Sequence, residues 1–276
     1  MQSNDNNEVY EKIINNNQEP MYEVVDLAPY RIGYFISKNN YEGSQNNEDS
    51  LFIYKHNQNI IFGVSDGAGG HPKAKEASEI ATNEIVSLYK KSTEAHFLNF
   101  IEEINTKVRE LKVGAHCTFI LCTIRDSFFK SYNVGDSEVI FWNSTGKKLY
   151  SNIPQSEVGY LIQSGSLEQD KSLDDPNRHI VTNLIGDDAI RIESTSRIEI
   201  KKGNTIIVGS DGLFDNLSHD ELAQIMAGGS FDKSFDTLVK RCLERNEDNW
   251  RKEDDISFIV LRKIQPELNP DKNTSS

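Results

Sequence analysis

Between residues 31 and 261 the chain keeps breaking into short runs rich in Ile, Val, Phe and Tyr, at 31–37, 51–54, 60–64, 118–124, 128–134, 138–142, 196–200, 205–208 and 256–261. Each is bounded by Gly, Asn, Asp or Ser, so the runs read as β-strands and their borders as turns. Helical spacing of apolar residues is confined to fewer segments. Ala77, Ile80, Ala81, Ile85 and Leu88 share a face of 74–91, and a second helix is predicted at 96–111. Others are predicted at 155–163, 218–226 and 232–245, where Ser218 with Glu221 three residues on forms a capping box. Two helices together, then strands in succession, is not the alternation that builds a parallel sheet. The strands are also too many for one comfortable open sheet. The predicted fold class is therefore α+β, with two packed antiparallel β-sheets flanked by helices.

No linker or change of composition divides these elements, and one domain over 21–264 accounts for them. Residues 1–20 are Asn-rich and read as a disordered tail whose removal should leave catalysis intact, and residues 265–276 read as a flexible C-terminal tail. The 43 Asp and Glu against 30 Lys and Arg give a net charge of −13, which argues against a nucleic-acid partner because nothing would neutralise its phosphates. No stretch approaches the roughly 18 apolar residues of a membrane span, and the first residues carry neither a basic nor an apolar targeting region. A cytoplasmic monomer without a membrane partner is expected. Cys117, Cys122 and Cys242 form no CxxC pair, and their odd number points to reduced, partly buried thiols.

Most of the excess acid is expected to be solvated surface. Some of it is placed. If 51–54 and 60–64 pair as a hairpin, Glu48, Asp49 and Asp66 share one edge of a sheet. Asp136 lies in the Gly-Asp-Ser turn after 128–134, Asp211 follows 205–208, and Asp254 and Asp255 precede 256–261. An antiparallel sandwich can collect all of these at one end. A single Asp in a turn is common, because Asp bonds its own backbone. Here two loops are nearly the same, Gly63-Val64-Ser65-Asp66-Gly67 and Val208-Gly209-Ser210-Asp211-Gly212. Clustered carboxylates repel one another and become stable around hard divalent cations, and an all-oxygen set suits Mg²⁺ or Mn²⁺. Gly67 would let a backbone carbonyl approach such an ion. Two ions about 3.5 to 4 Å apart activate water for in-line displacement at phosphorus. The glycine run from Asp66 to His71 is a weak phosphate-cradle signal, lacking both the GK[ST] ending and the GxGxxG spacing. The Asp-Gly pairs also fail as haloacid-dehalogenase nucleophile loops, since Val64 and Gly209 stand where the nucleophilic Asp belongs.

Six segments in order resemble the metal-dependent serine/threonine protein phosphatases of type 2C. They are NNEDS at 46–50, VSDGAGGH at 64–71, YNVGDSEV at 132–139, VTNLIGDD at 181–188, IIVGSDGLFDNLS at 206–218 and EDDISFIVL at 253–261. The likeness runs from about 31 to 264 and implies the same two-sheet fold. It implies a phosphatase domain that hydrolyses phosphoserine and phosphothreonine in proteins with two Mn²⁺ or Mg²⁺ ions and a weaker third. By position, Asp66 would bridge two ions with the Gly67 carbonyl on one of them, and Asp211 and Asp254 would be direct ligands. Glu48 would hold a metal-bound water, and Asp136 would bind the third ion with Asp211. His71 is open both to a turn-filling role and to substrate binding or proton transfer.

Three departures from the family pattern stand out. Ser44 occupies the place of a phosphate-binding arginine, leaving Lys38, His71 or Arg178 as candidates for that task. Ala68 stands where many members have a histidine, and Glu138 where arginine usually follows the Gly-Asp-Ser turn. The loss at Ser44 motivates a second reading, a catalytically weak pseudophosphatase that binds phosphoproteins. The segment 151–179 corresponds to the family's variable flap.

Overall fold

The computed structural model describes residues 8–39, 45–92, 96–226, 228–245 and 252–264. Ser44 and the segment 265–276 lie outside the described residues. In chain order the elements are β1 (Val9–Asn15), β2 (Met21–Leu27), β3 (Tyr30–Ser37), β4 (Asp49–His56), β5 (Asn59–Asp66), α1 (Ala74–Lys91) and α2 (Phe97–Arg109). Then come β6 (Phe119–Arg125), β7 (Phe128–Val134), β8 (Glu138–Trp142), β9 (Lys148–Ser151), α3 (Glu157–Gln163) and α4 (Gln169–Ser172). The chain continues with β10 (Glu193–Ser194), β11 (Ile198–Glu199), β12 (Thr205–Gly209), α5 (Asp211–Phe214), α6 (His219–Met226), α7 (Phe231–Leu243) and β13 (Ile256–Lys263).

The strands form two antiparallel sheets. The first runs β1-β4-β5-β6-β7-β10, with β11 also on β7, and the second runs β2-β3-β13-β12-β8-β9. Between them Ile32, Phe62, Ile120, Phe141, Val208 and Ile259 are fully buried and pack as one core. The outer face of the first sheet is covered by α1 and α2, whose Ala81, Ile85, Ile101 and Ile104 meet Phe52 and Phe119. The outer face of the second meets α6 and α7, where Leu222, Phe235 and Leu238 pack on Phe35 and Phe258. The order of layers is thus helix, sheet, sheet, helix, as expected. Central strands are buried on both faces, which is why β13 and β5 read as continuous apolar runs rather than as alternation.

Local signals account for most of the elements. Helix α1 spans the predicted 74–91, although the residue before it, Lys73, is left-handed at φ 57° and makes no side-chain cap. The capping box forms in both directions, with Ser218 N donating to Glu221 Oε2 at 2.8 Å and Glu221 N to Ser218 Oγ at 3.2 Å. One expectation needs correction. Residues 1–20 are not a disordered tail throughout, because β1 pairs with β4 from Val9↔His56 to Asn15↔Ser50. Its apolar residues face two ways: Ile14 is 6% exposed in the core between the sheets, whereas Ile13 packs beneath the helices. The described asparagines of this stretch, Asn15, Asn16 and Asn17, lie at the end of the strand and just beyond it. The strand β2, also unread in the sequence, closes the edge of the second sheet against β3.

The turn at Gly135-Asp136-Ser137 is not a hairpin within one sheet. β7 belongs to the first sheet and β8 to the second, so this turn crosses between them and sets Asp136 at their junction.

Candidate metal centre

At one end of the sandwich lies a cavity of about 460 Å³, and Glu48, Asp66, Gly67, His71, Asp136, Asp211 and Asp254 all line it. Strand register brings them there. Pairing of β4 with β5 sets Asp49 opposite Asp66 at the open end of the hairpin. Thr118 anchors that end, since its N donates to Asp66 O at 2.7 Å, and its Oγ1 accepts from Asp66 N at 3.0 Å and bonds Ser137 Oγ at 2.6 Å. The last bond ties the Asp136 turn to the Asp66 strand. In the second sheet, Gly209 at the end of β12 pairs with Glu138 and Phe258, so Asp211 emerges between the Asp136 turn and the Asp254 loop.

Two glycines are required by close approach rather than by backbone angle. A Cβ at Gly67 would sit 2.6 Å from the backbone of Ala74 at the start of α1, and one at Gly212 would sit 1.8 Å from Asp255 O. Buried bonds then join the two sheets behind the cavity. Ser210 Oγ donates to Asp49 Oδ2 at 2.7 Å, and Asp255 accepts from Glu48 N at 2.6 Å and Asn39 N at 2.8 Å. Asp49 thus acts as a strut beneath the acids that face the cavity, and Asp255, at the cavity wall, ties the Glu48 and Asn39 backbones to the Asp254 loop.

The cavity is electrostatically strained. Burial, followed by repulsion from Asp49, Asp211, Asp254 and Asp136, pushes the Asp66 carboxyl well above the usual range. Burial and then Asp211 raise Asp136 in the same way, and burial with Asp255, Asp254 and Glu76 raises Glu48 to about 7. Burial and Asp211 raise Asp254 to about 6 and Asp215 to about 7. Asp211 Oδ1 is buried and has no hydrogen-bond partner. A lysine ammonium at the centre of the cluster answers part of this charge. Lys252 Nζ lies 2.9 Å from Asp254 Oδ2 and 3.3 Å from Asp215 Oδ2, and it donates to Asp211 Oδ2. Burial works against its charge, but the pull of Asp211, Asp254 and Asp215 outweighs burial and raises its pKa. Among the described residues no three carboxylate, imidazole or thiolate groups converge as a ready-made metal cage. The donor set nonetheless fits a hard divalent ion: crowded carboxylates that repel one another and a buried oxygen without a partner.

A family model described as protein phosphatase 2C matches residues 37–253. The chain belongs to the protein phosphatase 2C family. This phosphatase is 24% identical over 235 residues to the serine/threonine phosphatase stp of Listeria welshimeri, covering 79% of this chain and 90% of that protein. It is 23% identical over 196 residues to the protein phosphatase PhpP of Streptococcus pneumoniae, covering 66% of this chain and 78% of that one. Among solved structures, the serine/threonine phosphatase Stp1 from Staphylococcus aureus superposes with a TM-score of 0.71 at 21% identity, over 89% of this chain and 96% of that one. RsbX in complex with magnesium superposes with a TM-score of 0.63 at 16% identity, over 88% of this chain and 99% of that one. The two-sheet fold is the one these solved structures share, and the family's chemistry is metal-dependent hydrolysis of phosphoserine and phosphothreonine.

Several residues of this phosphatase site were not read from the sequence. Asp215 had a signal: its N bonds Asp211 O at 2.7 Å, one helical turn on, so the two share a face. Lys252 had none, because it reaches the acids from a loop. Arg178, named as a phosphate candidate, instead sits 3.4 Å from Asp215 in a smaller adjoining pocket. Glu138 accepts or shares a hydrogen with His219 Nε2 at 2.9 Å, a contact between β8 and α6. His71 is exposed on the cavity rim and meets a second histidine, with His116 Nδ1 3.1 Å from His71 Nδ1. His116 Nδ1 also lies 2.8 Å from Gly114 O, and its Nε2 lies 3.2 Å from Asp187 Oδ1. A carbonyl oxygen only accepts, so in the tautomer with hydrogen on His116 Nδ1, His71 Nδ1 accepts and the His71 proton sits on Nε2.

Proposed function

We propose that this cavity hydrolyses phosphoserine and phosphothreonine in phosphoproteins, using two Mn²⁺ or Mg²⁺ ions and a weaker third. Asp66, the Gly67 carbonyl, Asp211 and Asp254 would hold the two ions, with Glu48 on a retained water and Asp136 beside Asp211 for the third. Bound ions supply charge for the phosphate oxygens and a more acidic water. The rest falls to the chain itself. Thr118, Ser137 and Ser210 hold the acid-bearing loops in register, so little reorganisation is needed when substrate arrives. His71, with its proton on Nε2 at the rim, is placed to protonate the departing seryl or threonyl oxygen. The reading includes a monomer acting in the cytoplasm, and no described helix is long and apolar enough to cross a membrane.

The observation that carries the proposal is the arrival of acids from five separate segments of sequence, at 48, 66, 136, 211 and 254, at one cavity between two sheets. The test is phosphate release from phosphoserine and phosphothreonine peptides with added Mn²⁺. Turnover is expected in the wild type and a loss of at least about a hundredfold in Asp66→Asn and Asp211→Asn. Turnover that survives chelation, or none at all, would sink the proposal.

A further inference from the structure

Lys252 stands where a metal ion would neutralise the cluster. Its ammonium pairs with Asp211, Asp254 and Asp215 at once, and these include two of the acids assigned above to the ions. The placement is not that of a wandering surface side chain. Asn216 clamps the Lys252 backbone from both sides, its Oδ1 accepting from Lys252 N at 2.9 Å and its Nδ2 donating to Lys252 O at 2.9 Å. The same Nδ2 donates to Gly212 O at 2.9 Å, so the Lys252 backbone is fixed to the loop that carries Asp211. The Lys252 side chain is 21% exposed and lines the cavity.

A divalent ion and an ammonium compete for these carboxylates. Two positive charges within a few ångströms of the same carboxylates repel, so an ammonium seated on Asp211 and Asp254 weakens the hold of a divalent ion there. On the opposite wall, Asp66 and Gly67 have no ion pair with Lys252. We propose that Lys252 is a built-in counter-ion that holds the Asp211–Asp254 side of the centre in the metal-free protein and must be displaced when a divalent ion binds there. The two sides of the centre therefore differ: the Asp66 side loads freely, and the Asp211–Asp254 side loads only in exchange for the ammonium. Displaced, Lys252 remains tethered at the cavity wall by the Asn216 clamp. The proposal rests on the reading of this cavity as the metal centre.

Calorimetric titration of the chelator-treated full chain with Mn²⁺ at one fixed pH tests it without recourse to activity. Lys252→Met should tighten the weaker Mn²⁺ site by about tenfold or more, since a coupling of this kind typically changes affinity by 5- to 150-fold. The metal-free variant should also melt lower than the wild type and gain more on adding Mn²⁺, because its acids have lost their only described ammonium partner. If Lys252→Met does not fold without metal, Lys252→Gln retains hydrogen-bond donors and carries the same comparison. Equal Mn²⁺ affinity and stoichiometry in wild type and variant would overturn the exchange and leave the metal centre standing. No Mn²⁺ uptake by either protein would overturn both.

Discussion

At the scale of single residues, the two histidines at the rim divide into a group that would touch substrate and a group that positions it. His71 faces the cavity, and His116 holds its ring through the Nδ1 contact while Asp187 fixes His116 from behind. An alkoxide leaving group needs a proton in the transition state, whereas p-nitrophenolate leaves readily without one. His71→Gln and His116→Asn are therefore each expected to lower kcat on a phosphoserine peptide by roughly tenfold to a hundredfold while changing turnover of p-nitrophenyl phosphate far less. The double variant should lose little more than either single one, since the residues act as a unit. Equal losses on both substrates would assign the pair to binding or to loop structure instead. Gly212→Ala tests the same scale from the packing side. A Cβ 1.8 Å from Asp255 O forces the Asp211 loop away from β13, and a cost of about 1–3 kcal/mol is expected in a chemical unfolding curve.

At the scale of elements, what could be read locally was what local chemistry decides. The acids at 48, 66, 136, 211 and 254 were legible because each ends or begins a strand, and the direction of an antiparallel strand tells which edge its end occupies. Lys252, which reaches the cavity, and His116, which meets His71 at its rim, were not, because they come from loops held by Asn216 and Asp187, far away in sequence. The crossing of Asp136 between sheets was likewise hidden, since a turn of three residues looks the same within a sheet and between two. β1 failed for a different reason. Val9, Tyr10, Ile13 and Ile14 are too few to announce a strand among so many asparagines, and the strand exists because β4 offers an edge for its whole length. Deletion through Asn15 is therefore no longer expected to be silent. It removes buried Ile14, worth about 1.5–3 kcal/mol, and leaves β4, which carries Asp49 beneath the cavity, as a bare edge. Thermal melting should fall by several degrees, with aggregation visible in light scattering, and unchanged melting would show β1 to be an ornament on the sheet.

At the scale of the whole molecule, the net charge of −13 takes on a position as well as a size. Part of it is gathered where the two sheets meet, joined there by Ser210–Asp49 and Asp255–Glu48 bonds. Bringing these acids together costs folded stability whenever they are ionised. Burial together with neighbouring acids raises Glu48 and Asp215 to about 7 and Asp254 to about 6, above the range near 4 that such groups have in an unfolded chain. Between pH 4 and 7 the folded protein then holds protons that the unfolded chain has released. Stability falls with rising pH wherever the folded state binds more protons, so the metal-free protein should lose stability across that window. Lys252 stays charged throughout it and offsets the loss only in part. Divalent ions act in the opposite sense, since binding to the folded state alone at a hundredfold excess over Kd contributes about 2.7 kcal/mol per site. Chelator-treated protein should therefore melt lower at pH 7.5 than at pH 5.5, and Mn²⁺ should restore most of the difference at pH 7.5 while adding less at pH 5.5, where protons compete for the same oxygens. A metal-free protein that melts higher at pH 7.5 would mean that these carboxylates are not crowded in the folded state, and the cavity would lose its physical reason to take up metal.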